Sequence, residues 1–358
     1  MNRRISSERR RRGGIAGLLV AGVTAASMAL TGCVGGSATG SDAGSGASAG
    51  GTSLHLVGFS VPKEANDAVE KAFADTSDGK GVTWQESYGA SGDQSRAVAG
   101  GLKADYVHFS TEPDMTRLVD KGLVADDWNA GPTKGIVTSS VVVISVRPGN
   151  PKHITGWDDL IKPGVKIVTP NPASSGSARW NILGAYQHKI NEGGTRAQAA
   201  NYLLKFFGHV QSLPSSGRDA TNAFLKGDAD ALISYENEVI LARQSGETLD
   251  YVVPKDTFLI QNPGAATKNA DPKAEDFARF AFSTDGQKIY QQYGFRPVTN
   301  DVPKADVDGA MDPKDPFPKP AKLTTIADLG GWDKVSTKYF DPDSGLVSKI
   351  QAEAGKTQ

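Results

Sequence analysis

From Leu54 onward the chain alternates between two periods, and this rhythm limits its fold more than any other feature. LHLVGFS (54–60) reads as a strand, and EANDAVEKAFA (64–74) has helical spacing. VTWQESYG (82–89) and SGDQSRAVAGGLK (91–103) repeat the pair, and ADYVHFS (104–110) with EPDMTRLVDKG (112–122) repeats it again. Such alternation predicts an α/β chain with a parallel or mixed sheet and helices on its faces. SSVVVISVRPG (139–149) is β-branched enough for a buried strand. Strand–helix units continue through VKIVTPNP and ALISYENE, and helical spacing predicts one helix over 274–293.

Three strand-to-helix turns look alike: Gly89-Ala90-Ser91-Gly92-Asp93, Ser174-Ser175-Gly176-Ser177, and Ser215-Ser216-Gly217-Arg218-Asp219. Serine caps the first turn of a helix, and this accounts for any one of them. All three together also fit a second reading. Glycine lets backbone approach a ligand, serine donates without charge, and helix N-termini attract anions. In open α/β folds ligands bind at the carboxyl ends of strands, where these turns fall.

The first 32 residues stand apart. They hold six arginines and one glutamate, followed by the apolar run GIAGLLVAGVTAASMAL. This is an export leader. Leu30-Thr31-Gly32-Cys33 looks like a lipobox, with Cys33 carrying the lipid, and Arg11-Arg12 fits the twin-arginine route loosely. VGGSATGSDAGSGASAGGTS follows and reads as a flexible tether. No later segment approaches the roughly 20 apolar residues that span a bilayer. Without the leader the chain carries 33 basic against 39 acidic side chains, a net of −6, which argues against nucleic acid as a partner. The single cysteine rules out an intrachain disulfide.

Catalytic and metal motifs are missing from the sequence. The five histidines (His55, His108, His153, His188, His209) show no ligand pairing, so no metal site is expected. There is no phosphate-binding G-x-x-x-x-G-K-[ST] loop and no G-x-S-x-G elbow. Ser175 or Ser91 as a hydrolase nucleophile would need a base that no pattern supplies. Glu236 and Glu238 in SYENE read as a helix start or an exposed edge, and DPKDP and DPDSG lack the calcium-loop pattern.

GNPKHITGWDDLIKPGVKIVTPNPASSGSARWN (149–181) closely resembles the sulfate-binding proteins of bacterial ABC uptake systems, as do GASGDQ (89–94), ALISYENE (231–238) and GGWDKV (330–335). The similarity runs in order over nearly all of 54–345. It implies a type II periplasmic-binding fold: two α/β lobes joined by crossing strands, with the ligand cleft between them. It also implies a non-enzymatic, cofactor-free monomer that delivers sulfate to permease subunits and their ATPase. The division implied is a lipoprotein leader (1–32), a tether (33–53), a first lobe (54–139 and 255–300), a second lobe (140–254), and a C-terminal segment (301–358) assigned to neither lobe. The crossings are expected near Ser139 and Pro254. The protein would sit on the outer face of the cytoplasmic membrane, held by its lipid.

Position by position, the resemblance places sulfate donors at Ser60 (backbone N–H), Ser91, Ser175, Gly176, Ser177, Gly217 (backbone N–H) and Tyr235. Arg218 braces peptide groups beside them without touching the anion. Ser60 stands where the family often has Asp, Ser177 replaces a glycine, and Tyr235 replaces a tryptophan. Asp219 is a carboxylate near the shell, which would favour an anion that carries a proton. Two alternatives accompany the sulfate reading: the same fold binding thiosulfate, molybdate or phosphate, and a lipoprotein hydrolase using Ser175 or Ser91.

Overall fold

The computed structural model describes residues 51–356. The leader, Cys33 and nearly all of the tether lie outside the described residues.

The first three strand–helix units form as their periodicity predicts: β1 (Ser53–Phe59), α1 (Lys63–Ala74), β2 (Thr83–Gly89), α2 (Ser91–Ala99), β3 (Tyr106–His108) and α3 (Glu112–Asp120). β1 lies between β2 and β3, parallel to both. Its side chains alternate between faces. Leu54 and Leu56 join Val69 and Phe73 of α1 in one core, while Val57 joins Val107, Met115 and Leu118 in another.

β4 (Ile136–Val146) follows, then a 3-10 turn (Trp157–Ile161), β5 (Ile167–Val168), α4 (Gly176–Asn191) and α5 (Arg196–His209). β6 (Val210–Ser212), α6 (Gly217–Lys226), β7 (Ala231–Tyr235), α7 (Glu236–Gln244), β8 (Asp250–Val252) and β9 (Asp256–Ala266) come next. The sheet order is β2-β1-β3-β9-β4-β7-β5-β6, with β8 added to β4. β1–β3 and β5–β7 are the parallel strands of two α/β lobes, and β4 and β9 join them. The two joining strands pair antiparallel, with Ser139 opposite Gln261 and Val141 opposite Leu259. Beyond that overlap β9 pairs with β3, and β4 pairs with β7 and β8. Each thus runs from one lobe into the other. The apolar run in β4 is explained by burial on both faces: Val142 and Ile144 enter one core, Val141 and Val143 another.

The helix expected over 274–293 is two helices, α8 (Pro272–Phe282) and α9 (Thr284–Gln292). Ser283 between them has ψ 162°, outside the helical region, and its hydroxyl accepts the Gly286 N–H to cap α9. The C-terminal segment is built into the body. β10 (Lys322–Thr324) pairs parallel with the start of β9, and α11 (Leu346–Glu353) packs on α5. Trp332, in the short helix α10 (Trp332–Val335), meets Trp180 of α4 edge to face at 4.9 Å.

Candidate functional site

The turns that end β1, β2 and β3 meet those that begin α4, α6 and α7. The Gly92 amide of α2 donates to the Ser174 carbonyl before α4 at 3.1 Å. The Ser110 hydroxyl, after β3, lies 2.8 Å from the Tyr235 phenol oxygen at the end of β7. The Ser110 carbonyl accepts the Trp180 indole N–H and the Asn262 amide, each at 2.9 Å. Gly176 is needed here: a Cβ on it would sit 2.7 Å from Ser110 Cβ and Oγ. Arg218 of α6 reaches the Val61 carbonyl after β1 at 3.3 Å.

Helix geometry sets what these turns offer. The first four N–H groups of a helix have no intrahelical acceptor. The Ser175 hydroxyl caps α4 by accepting the Ala178 N–H, and the Ser216 hydroxyl caps α6 by accepting the Asp219 N–H. Each bond serves the third residue. The amides of Gly176 and Ser177, and of Gly217 and Arg218, have no protein acceptor among the described residues. The same holds for the Ser91 amide at the start of α2. Ser91, Ser175, Ser177 and Tyr235 are all buried.

The side chains show which donors are already engaged. Ser91 Oγ donates to Asp114 Oδ2 at 2.7 Å and accepts the Ser110 N–H at 2.9 Å, so its amide is what it can still give. The Ser60 N–H, expected as a donor to the ligand, instead donates to the Gly89 carbonyl at 2.9 Å. This bond extends the parallel β1–β2 ladder by one residue and leaves Ser60 presenting its half-buried hydroxyl. Ser177 is buried close to the Tyr235 phenol, as is Asn262, and the phenol oxygen hydrogen-bonds the Ser110 hydroxyl. Burial raises the Tyr235 pKa well above its usual value, and these polar neighbours draw it back only partly, so the phenol stays protonated.

Charge is kept at the margins. Asp219 is exposed and accepts from the hydroxyls of Ser215 (2.6 Å) and Ser216 (2.7 Å), acting as a local cap. Asp114 is buried behind Ser91, and its oxygens take Ser91, Thr111 and Arg117. Arg218 ion-pairs with Glu64 of α1 at 2.5 Å and with Glu238 of α7 at 2.6 Å. Burial alone would lower its pKa, but the two carboxylates lift it above the usual value and keep it cationic.

No histidine among the described residues hydrogen-bonds Ser91 or Ser175. His108 bonds Asn66 and Thr138, His188 bonds Asp256, His55 bonds Asp105, and His209 bonds the Val165 carbonyl. Neither hydroxyl therefore has an imidazole base among the described residues, and the Asp114 carboxylate that Ser91 meets is already shared with Thr111 and Arg117.

Sequence reasoning missed Ser110, Asp114, Trp180 and Asn262. Ser110-Thr111 is a fourth strand-to-helix turn with hydroxyl residues, and the absence of glycine hid it. Asn262 carries no local signal and reaches Ser110 only through the pairing of β9 with β3 and β4.

The model for bacterial extracellular solute-binding proteins matches residues 54–296. A sulfate-binding protein of Synechococcus elongatus is 40% identical over 326 residues, covering 86% of this chain and 91% of the relative. A thiosulfate-binding protein of Pseudomonas aeruginosa is 31% identical over 299 residues, 80% of this chain and 87% of the relative. The solved structure of the sulfate-binding protein SubI from Mycobacterium tuberculosis superposes with a TM-score of 0.76 at 46% identity, covering 81% of this chain and all of that one. With its two joined α/β lobes and this breadth of similarity, the chain belongs to the bacterial extracellular solute-binding proteins, in the group that contains the sulfate-binding proteins of ABC uptake systems.

Proposed function

We propose that this protein captures sulfate between its lobes and delivers it to an ABC permease, while a lipid on Cys33 holds it at the outer face of the cytoplasmic membrane. One observation carries the reading. Spare amides of α2, α4 and α6, the Ser175 hydroxyl and the Tyr235 phenol converge, and the neighbouring carboxylates of Asp114 and Asp219 already accept bonds from serine hydroxyls. Helix N-termini and N–H dipoles stabilise a dianion without a formal counter-charge. Sulfate is a full dianion at neutral pH and has no proton to give. Hydrogenphosphate carries one, and in a donor-only site that proton faces another donor.

The lobes divide at the β4–β9 crossing, where Ser139 faces Gln261, with the second lobe taking the C-terminal segment. Ligand binding shifts an open–closed equilibrium, and the closed form docks on the permease. As a solute-binding protein it performs no chemistry on its cargo. Differential scanning calorimetry with sulfate, thiosulfate, molybdate and phosphate tests the choice of anion. Sulfate is expected to raise Tm most, in proportion to ln(1 + [L]/Kd). A larger rise with another anion reassigns the cargo, and no rise with any of the four overturns the reading.

A further inference from the structure

Away from the interlobe turns, three side chains converge where the end of α4 meets the 3-10 turn Trp157–Ile161. His188 lies in the last turn of α4, Glu192 four residues on ends that helix, and Asp158 comes from the 3-10 turn. His188 Nε2 is 3.5 Å from Asp158 Oδ1 and 3.6 Å from Glu192 Oε2. His188 is 7% exposed, and its Nε2 has no hydrogen-bond partner among the described residues. The other ring nitrogen is fixed from behind: Nδ1 lies 3.0 Å and 3.1 Å from the two Asp256 carboxylate oxygens. Asp256 is held in turn by Asn191.

We propose that His188, Glu192 and Asp158 form a binding site for a divalent transition-metal ion of the Zn2+ class. A carboxylate on Nδ1 keeps the proton there and turns the Nε2 lone pair outward, the arrangement that orients metal-bound histidines. Histidine and a second ligand at i and i+4 share one helix face. Zinc bonds of about 2.0–2.1 Å at the tetrahedral angle put ligand atoms about 3.4 Å apart, close to the 3.5 Å and 3.6 Å from His188 Nε2 to the two carboxylates, and all three ligand atoms lie within 4.8 Å of one another. One imidazole and two carboxylates leave a fourth position for water.

Lys189 now occupies the carboxylate side, with Nζ 2.5 Å from Asp158 Oδ1 and 2.8 Å from Glu192 Oε2. Its side chain is 23% exposed, so it can swing into solvent when a metal takes its place. A bound ion would tie the 3-10 turn to the end of α4, with Asp256 extending the link to the start of β9. The site shares no residue with the interlobe donors.

Isothermal titration of the untagged full chain with Zn2+, and the visible spectrum with Co2+, test this. One Zn2+ per chain with Kd below about 10 µM, and the intense bands of four-coordinate Co2+, are expected. Glu192→Gln and His188→Gln should each weaken binding at least about tenfold, and Asp256→Asn by about 10–100-fold through loss of ring orientation. Lys189→Ala should tighten it. Glu192 is half-exposed, so its variant remains informative if His188→Gln fails to fold. Sulfate affinity should be unchanged in Glu192→Gln, which separates this outcome from the fate of the anion site. Equal Zn2+ affinity in the parent and Glu192→Gln, or no binding at about 100 µM, overturns the site and leaves His188 as an imidazolium paired with carboxylates.

Discussion

Gly92 donates its amide to the carbonyl of Ser174 at 3.1 Å, joining the first turn of α2 in one lobe to the loop before α4 in the other. A Cβ at position 92 would lie 2.9 Å from that oxygen. The proposed closed form requires this approach, and the backbone carbonyl cannot yield as a flexible side chain would. Gly92→Ala should therefore weaken sulfate binding about 10-fold, the equivalent of about 1.4 kcal/mol, with little loss of Tm in the absence of ligand. Titration calorimetry beside a thermal melt checks both halves of the expectation.

The Tyr235 phenol sits among the Ser110, Ser177 and Asn262 side chains. Tyr235→Phe removes the oxygen that bonds Ser110 and the donor proposed for the anion. An unmade buried hydrogen bond costs about 1–3 kcal/mol, so affinity should fall about 10- to 100-fold. Tyr235→Trp restores an N–H from a different position and should recover part of the loss. The same titration reports both variants.

Arg218 links α6 to Glu64 of α1 and to the buried Glu238 of α7. Removing it strands Glu238 without its counter-ion. Arg218→Ala should destabilise the fold by about 3–5 kcal/mol, and the double variant with Glu238→Gln should recover much of that. Arg218→Lys keeps the charge but not the fork that serves two carboxylates at once. Urea unfolding measures each change.

Glu70 is buried in α1, and its Oε1 has no hydrogen-bond partner among the described residues. Burial first, then the Glu86 and Asp67 carboxylates, push its pKa up to about 9, with Lys63 opposing them. Lys63 is engaged with both of those carboxylates, and the half-buried ring of Tyr88 and the buried ring of Tyr290 both feel the Glu70 carboxyl. A carboxyl raised in the folded state stabilises it fully below its unfolded value of 4.5, and this contribution is lost as pH rises toward about 9. Glu70→Gln mimics the protonated form. It should have little effect on stability near pH 4.5 and add about 1–3 kcal/mol at pH 8. Melting curves across that range would expose an error in sign.

The parts of the site that depend on neighbours in sequence were legible. Ser175 and Ser216 cap helices whose first amides they leave spare, and both turns were visible as Ser-Gly clusters after strands. What depends on contacts far apart in the chain was not. Ser110 meets Trp180 and Asn262 across 70 and 152 residues, and nothing around Ser110 announces either. The Ser60 amide looked like a ligand donor because its turn matched the family, but the parallel register continues one residue past β1 and engages it. The break between α8 and α9 escaped notice because apolar spacing continues on both sides of Ser283, whose extended backbone ends one helix and caps the next. The two-lobe arrangement itself followed from the strand–helix rhythm and the family likeness together, since rhythm alone does not say where the sheet divides.

The direct test of a cage built from hydrogen donors is the ratio of sulfate to phosphate affinity, measured by calorimetry at pH 6, 7 and 8. The proton on phosphate meets a donor in place of an acceptor, at a cost of about 1–3 kcal/mol or more. Sulfate should bind at least about 100-fold more tightly than phosphate at pH 7, with an affinity that barely changes over this range. Phosphate binding as tightly as sulfate would mean that an acceptor such as Asp114 or Asp219 faces the ligand, and would contradict the account.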